Sequence, residues 1–193
     1  MIKSELRKIY LAKQKSFSAD ERGKKSLEIA DGFFENFNLE DIRFLHVFLP
    51  IENNREIETA FIYKRLWRDF PKIETIVSRV NFKTMTLENL KFTAATKLVK
   101  NKWHISEPTE TDLFEIEKID AVLVPLLCFD ERGFRVGYGM GFYDKFLKKC
   151  RTDCLKIGLS YFAPIKEISD AQEFDIKLDF CITPEEIFSV QSK

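Results

Sequence analysis

Asp120-Ala-Val-Leu-Val-Pro125 is a short apolar run stopped by proline, and the glycine-rich stretch Gly137-Tyr-Gly-Met-Gly141 follows it. The run reads as a buried strand, because a strand covered on both faces shows no polar alternation. Phe142 to Lys149 reads as a helix. Strand, glycine loop and helix together form the start of a layered α/β unit. Arg43-Phe-Leu-His-Val-Phe-Leu-Pro50 repeats the pattern of an apolar run ended by proline. Ile73 to Val80, rich in β-branched residues, gives another strand, and Leu155-Lys-Ile-Gly-Leu-Ser160 and Phe180-Cys-Ile-Thr183 give the last two.

Between these strands the period changes. Glu58 to Phe70 has helical spacing, with Phe61, Leu66 and Phe70 among its apolar positions. Residues 1–37 read as helices. Ser18-Ala-Asp-Glu21 is a capping box, in which hydroxyl and carboxylate each satisfy a free N–H of the first turn. Leu27, Ala30, Phe34 and Phe37 then define one helix face. Residues 82–106 read as short strands around Met85-Thr-Leu and Leu90-Lys-Phe, a small hairpin-like insertion. There are no repeats and no linker rich in Pro or Gly. The prediction is an α/β fold: one layered domain over residues 1–193, with a largely parallel or mixed sheet flanked by helices. Such sheets bind ligands at the carboxyl ends of their strands, where the glycine loop begins.

Composition narrows the function. The chain carries 31 basic and 31 acidic residues, which argues against nucleic acid as its main partner. With 45% hydrophobic residues, including 19 Phe, there is enough apolar side chain for a full core. The start, Met1-Ile-Lys-Ser-Glu-Leu-Arg7, lacks the apolar centre of a signal peptide, and no stretch approaches the ~20 apolar residues that span a bilayer. The expectation is a cytoplasmic protein with no membrane partner. Cys128, Cys150, Cys154 and Cys181 form no C-x-x-C pair and read as small core residues. His46 and His104 stand apart from each other and from the cysteines, so neither reads as a ligand.

The glycine loop carries the chemistry. Gly137, Gly139 and Gly141 alternate, which permits unusual torsions and close approach of the backbone to a ligand. Its N–H groups suit phosphate oxygens, Arg135 enters with a forked cation, and Asp144 leaves with a carboxylate suited to Mg²⁺. The spacing fits neither the dinucleotide fingerprint, which needs Gly at Phe142, nor the P-loop, which needs Gly-Lys-Ser/Thr. A glycine-rich turn that merely reverses the chain is the bland alternative.

The segment from Val124 to Asp144 as a whole resembles the signature of the 5-formyltetrahydrofolate cyclo-ligase family, V-P-x-x-x-F-D leading to R-L-G-x-G-x-G-Y-Y-D. Lys3-Ser-Glu-Leu-Arg7 resembles that family's K-x-x-L-R, and Glu56-Ile-Glu-Thr59 its E-I-x-T. Glu173-Phe-Asp-Ile-Lys-Leu-Asp179 resembles its H/N-D-x-x-x-D, and His104-Ile-Ser-Glu-Pro108 its G/W-I-x-E-P. The resemblance implies that Lys3, Arg7 and the loop Arg135, Val136, Gly137, Tyr138, Gly139, Met140, Gly141, Phe142 and Tyr143 bind ATP, with Arg135 catalytic. It implies that Asp144 and Asp175 hold Mg²⁺. It places the folate against Asn53, Glu58 and the loop residues Tyr138 to Phe142, with Trp103 a further ring contact or a packed core residue. Met140 departs from the family's Lys or Gly, Val136 from Leu, Phe142 from Tyr, and Ser78-Arg79 from Pro-Arg.

The implied reaction is that of a monomeric enzyme: 5-formyltetrahydrofolate and ATP give 5,10-methenyltetrahydrofolate, ADP and phosphate. Phosphorylating the formyl oxygen makes the carbon electrophilic and the oxygen a leaving group, so N10 can attack. Such chemistry needs positioning and charge neutralisation more than a nucleophilic triad, and no triad stands out. A regulator that binds folate or nucleotide without turnover is the alternative from another class. A sugar-phosphate isomerase would rest on fold likeness alone.

Overall fold

A computed structural model describes residues 1–101, 105–109 and 112–190. Trp103 and His104 lie outside the described residues. In chain order the helices are α1 (Lys3–Ser16), α2 (Ala19–Asn36), α3 (Ala60–Asp69) and α4 (Phe142–Leu147). The strands are β1 (Phe44–His46), β2 (Glu74–Asn81), β3 (Thr86–Phe92), β4 (Leu98–Lys100), β5 (Ser106–Pro108) and β6 (Ala121–Pro125). They continue with β7 (Cys128–Phe129), β8 (Arg135–Val136), β9 (Leu155–Leu159), β10 (Phe180–Ile182) and β11 (Ile187–Ser189).

Seven strands form one mixed sheet in the order β11-β10-β9-β6-β1-β2-β3. The inner strands β10, β9, β6, β1 and β2 are parallel, and β11 and β3 close the edges antiparallel. Strand order reverses between β1 and β6, so the chain leaves these two neighbours in opposite directions. A crevice opens at such a switch point, beyond the carboxyl ends of the strands.

Alternation along the strands supplies two layers. Leu45 on β1, Val47 just beyond its end, Val77 on β2 and Leu123 on β6 face α2 and α3, which contribute Ile29, Phe33, Ile62 and Leu66. Ile76, Val122 and Val124 face the opposite way, toward Phe146 and Leu147 of α4. Truncating fully buried Phe33 or Leu66 to Ala would cost about 2–5 kcal/mol. A third cluster, Leu6 with Cys128, Val136 and Ile168, fastens α1 to the β7–β8 hairpin.

Two expectations change. The hairpin-like insertion expected in residues 82–106 is made by β4 and β5, not by the two short strands read around Met85-Thr-Leu and Leu90-Lys-Phe. Met85-Thr-Leu and Leu90-Lys-Phe belong to one turn and strand, because β3 pairs with β2 from Thr86↔Asn81 to Phe92↔Thr75 and extends the main sheet. A separate two-stranded piece, β4 with β5, follows it. The apolar face of α2 also rotates. Ser26, Ile29, Ala30 and Phe33 are the buried set, while Leu27 is 46% exposed. The capping box forms as the sequence requires: Glu21 N–H donates to Ser18 Oγ at 3.2 Å, and Ser18 N–H donates to Glu21 Oε2 at 2.8 Å.

Candidate active site

A cavity of about 650 Å³ lies beyond the ends of β1 and β6, reached by Phe48 and Leu49 on one side and Pro125 on the other. The glycine loop, which β8 introduces and α4 continues, forms one wall. Gly139 has φ +99° and Gly141 φ +66°, the left-handed region that favours glycine. Gly139 is fixed twice over, since a Cβ there would stand 3.2 Å from both Cζ and Nε of Arg7.

The cations converge on this loop. Arg7 Nε donates to the Gly137 carbonyl at 2.9 Å, which joins α1 to the loop. Lys3 Nζ pairs with Asp175 Oδ2 at 2.5 Å. Arg135, 5% exposed at its side chain, donates from Nη2 to Asp144 Oδ1 at 2.7 Å and from Nη1 to the Ile176 carbonyl at 2.5 Å. Burial pulls the Arg135 pKa down, and Asp144 works against that fall. Burial would raise the Asp175 carboxyl, but the Gln172 N–H, Lys3 and Arg135 outweigh it and leave it below the ordinary value. Asp144 is not the helix cap: Gly141 occupies the N-cap of α4, and the Asp144 carboxylate is committed to Arg135.

The cavity also holds Glu56. Its carboxylate is 4% exposed, accepts the Ile51 N–H at 2.8 Å and faces the phenol of Tyr138. Burial raises its pKa to about 7, against the opposing pull of the Ile51 N–H and Tyr138. Gln14 of α1 braces this corner, donating to the Tyr138 hydroxyl at 3.0 Å and to the Asn54 carbonyl at 2.7 Å. Tyr138 is held neutral by burial and by the neighbouring Glu56. Val80 and Leu87 of the sheet, with Phe82 of the β2–β3 turn, supply an apolar wall.

The structure thus brings Lys3, Arg7, Asn53, Arg135, Asp144 and Asp175 together with Gly137 through Tyr143. It does not bring in Glu58 or the Val136 side chain. Glu58 lies outside the cavity, its carboxylate 3.4 Å from Arg22 Nη2 and its N–H on Ser26 Oγ. The reason is the backbone: Arg55 takes φ +53°, and Thr59 N–H bonds back to the Ile57 carbonyl, a tight turn centred on Glu58. Val136 is 1% exposed and packs in the cluster with Leu6. Glu56 and Gln14 were missed in the sequence. Two acids at i and i+2 share a side in an extended chain, so Glu56-Ile-Glu-Thr59 carried no signal to separate them.

The sequence pattern described as the 5-formyltetrahydrofolate cyclo-ligase family matches residues 1–184. A protein of that name from Escherichia coli (strain K12) is 29% identical over 145 residues, 74% of this chain and 78% of its own. The Mus musculus protein of the same name is 28% identical over 176 residues, 86% and 85% of the two chains. The solved 5,10-methenyltetrahydrofolate synthetase of Aquifex aeolicus superposes with TM-score 0.82 at 25% identity, over 100% of this chain and 95% of its own. That of Mycoplasma pneumoniae shares the fold, with TM-score 0.74 at 24% identity over 96% and 100%. With its matching pattern running from α1 through β10, the chain belongs to the 5-formyltetrahydrofolate cyclo-ligase family.

Proposed function

We propose that the protein closes the formyl group of 5-formyltetrahydrofolate onto N10 at the expense of ATP, releasing 5,10-methenyltetrahydrofolate, ADP and phosphate. The observation that carries this reading is one cavity lined both by the cations Lys3, Arg7 and Arg135 and by the buried acid Glu56. The volume is that of a site for one drug-sized ligand. The triphosphate and the pterin therefore meet inside it, while adenosine and the glutamate tail reach outward.

The loop N–H groups and Arg7 hold the phosphates, with Gly139 allowing the backbone close. Arg135 sits pre-aimed, its guanidinium fixed by Asp144 and Ile176, so little reorganisation is needed when charge develops on the transferred phosphoryl group. Glu56 accepts adjacent N–H donors of the pterin, a pairing strongest when the carboxylate is ionised. The pterin so held places its formyl oxygen at the phosphate end. Phosphoryl transfer to that oxygen makes the carbon electrophilic. N10 then attacks, its proton is lost, and phosphate leaves.

Asp144 and Asp175, flanking Arg135, are the residues that would hold Mg²⁺. Hard oxygen donors suit it, and Mg²⁺ is commonly bound by one or two carboxylates completed by substrate phosphates and water. Among the described residues no group of three or more His, Cys, Asp or Glu is placed to hold a metal ion. When bound, the ion would neutralise phosphate charge. No helix among the described residues is long and apolar enough to cross a membrane, and all four thiols are free, which suits a reducing cytoplasm. We place the enzyme there as a monomer.

The test is to mix protein, 5-formyltetrahydrofolate, ATP and Mg²⁺ and follow the near-ultraviolet absorbance of the methenyl product. An ATP-dependent rise is expected. Binding of either ligand without that rise would make the protein a regulator instead.

A further inference from the structure

Three neighbouring strands place polar side chains side by side on the face toward α4. His46 on β1 is fully buried, and its Nε2 lies 2.7 Å from Ser78 Oγ on β2. Ser78 Oγ donates to Asn89 Oδ1 on β3 at 3.0 Å, and Ser78 and Asn89 are direct partners across the ladder. Ser78 lines the cavity, two residues from Val80 on the same face, while Asn89 is 6% exposed. The trio stands in an apolar setting, with Ile76 behind it and Val80 and Leu87 in front.

The hydrogen bonds assign the protons. With Asn89 Oδ1 accepting the single Ser78 hydrogen, the network assigns the Nε2–H tautomer to His46, which then donates to Ser78. His46 Nδ1 is then bare, and it has no hydrogen-bond partner among the described residues. This tautomer leaves a lone pair unmatched in the interior, where the other would leave an unmatched N–H. Burial also keeps the ring neutral, so the arrangement does not change through the neutral range. The Ser78 oxygen therefore gives one hydrogen bond and accepts one, and retains a lone pair at the cavity wall. Held from both sides, this oxygen is a fixed acceptor with no hydrogen to offer.

We infer that Ser78 is a specificity-determining contact for the folate, accepting an N–H of the reduced pterin ring, with His46 and Asn89 as the residues that position it. The inference rests on the folate reading of this cavity. A fixed acceptor discriminates more sharply than a freely rotating hydroxyl, because a ligand lacking the N–H leaves the oxygen unpaired. It also explains why two polar side chains are buried behind a single serine.

The experiment measures binding of 5-formyltetrahydrofolate without nucleotide, together with the KM for folate and for ATP, in the unaltered chain and in Ser78→Ala. Loss of one neutral hydrogen bond should weaken folate binding about 3- to 10-fold, with the KM for ATP unchanged. Ser78→Thr, which keeps the oxygen, should recover most of the loss. If Ser78→Ala does not fold, Ser78→Cys keeps the volume, substitutes a poor acceptor and gives the same readout. Equal folate affinity in the unaltered and altered chains would overturn the inference and leave the folate reading standing. A parallel rise in both KM values would show the trio to be strand packing, and would also overturn it. Failure of the unaltered chain to bind 5-formyltetrahydrofolate would remove the folate reading itself.

Discussion

Glu56 is a buried acid whose ionisation the fold resists, and this has a measurable sign. In the unfolded chain it titrates near 4.5, and in the folded protein near 7. Between these values the folded state binds more protons, so stability falls as pH rises through that window and levels off above it. Glu56→Gln should flatten this slope in urea unfolding measured at pH 5 and pH 7.5, a difference of order 3 kcal/mol. The same variant should lose folate affinity at pH 7.5. A slope that survives in Glu56→Gln would assign the titration to another group. Asp144 behaves differently, because its partner is the buried Arg135. Asp144→Asn keeps an oxygen for the guanidinium but removes the charge, so stability should drop by about 1–3 kcal/mol. Turnover should fall on the order of 100-fold. Near-normal turnover with an unchanged Mg²⁺ requirement would reduce Asp144 to an anchor for Arg135. Met140 is 55% exposed at the loop tip. Met140→Lys should therefore melt within a few degrees of the unaltered chain and hold or raise the rate, as a cation there would face phosphate.

At the scale of elements, α1 does two tasks with two faces. Leu6 fastens it to the β7–β8 hairpin, while Lys3, Arg7 and Gln14 point at the site. Arg7 crosses Gly139 so closely that the helix and loop must be designed together. Gly139→Ala forces a side chain into φ +99° and against Arg7. It should cost roughly 1 kcal/mol or more and raise the KM for ATP with little change in that for folate, which steady-state kinetics would separate. By contrast, the capping box of α2 lies far from this chemistry. Ser18→Ala should lower stability by about 1 kcal/mol with both KM values intact.

For the molecule as a whole, the site is gathered from residues 3 to 175 around the point where strand order reverses. Ligands that bind across such a junction stabilise the entire fold by mass action. Saturation with 5-formyltetrahydrofolate at 100 times its Kd should add about 2.7 kcal/mol to the unfolding free energy. Asp144→Asn should retain this gain for folate and lose most of the corresponding gain for ATP with Mg²⁺. Calorimetry of the two proteins with each ligand decides it, and equal losses for both ligands would show that Asp144 does not act on the nucleotide alone.

Much of this was written along the chain. Apolar runs stopped by proline declared β1 and β6, Ser18-Ala-Asp-Glu21 declared the start of α2, and the glycine alternation declared the loop. These are local signals, readable because period, capping and φ preference act over a few residues. Lys3, Arg7, Arg135, Asp144 and Asp175 each lie in a segment that resembles the family's, and all five line the cavity. Tertiary structure decided what local rules cannot express. It put Glu56 into the cavity and left Glu58 outside it, through a turn at Arg55, and sent Val136 into the core beside Leu6. It ran Thr86 through Phe92 as one edge strand with Met85 left in the turn, because pairing with β2 outweighs the weak strand pattern between the two segments. It set His46, Ser78 and Asn89 in a row, a neighbourhood made by strand order rather than by spacing along the chain.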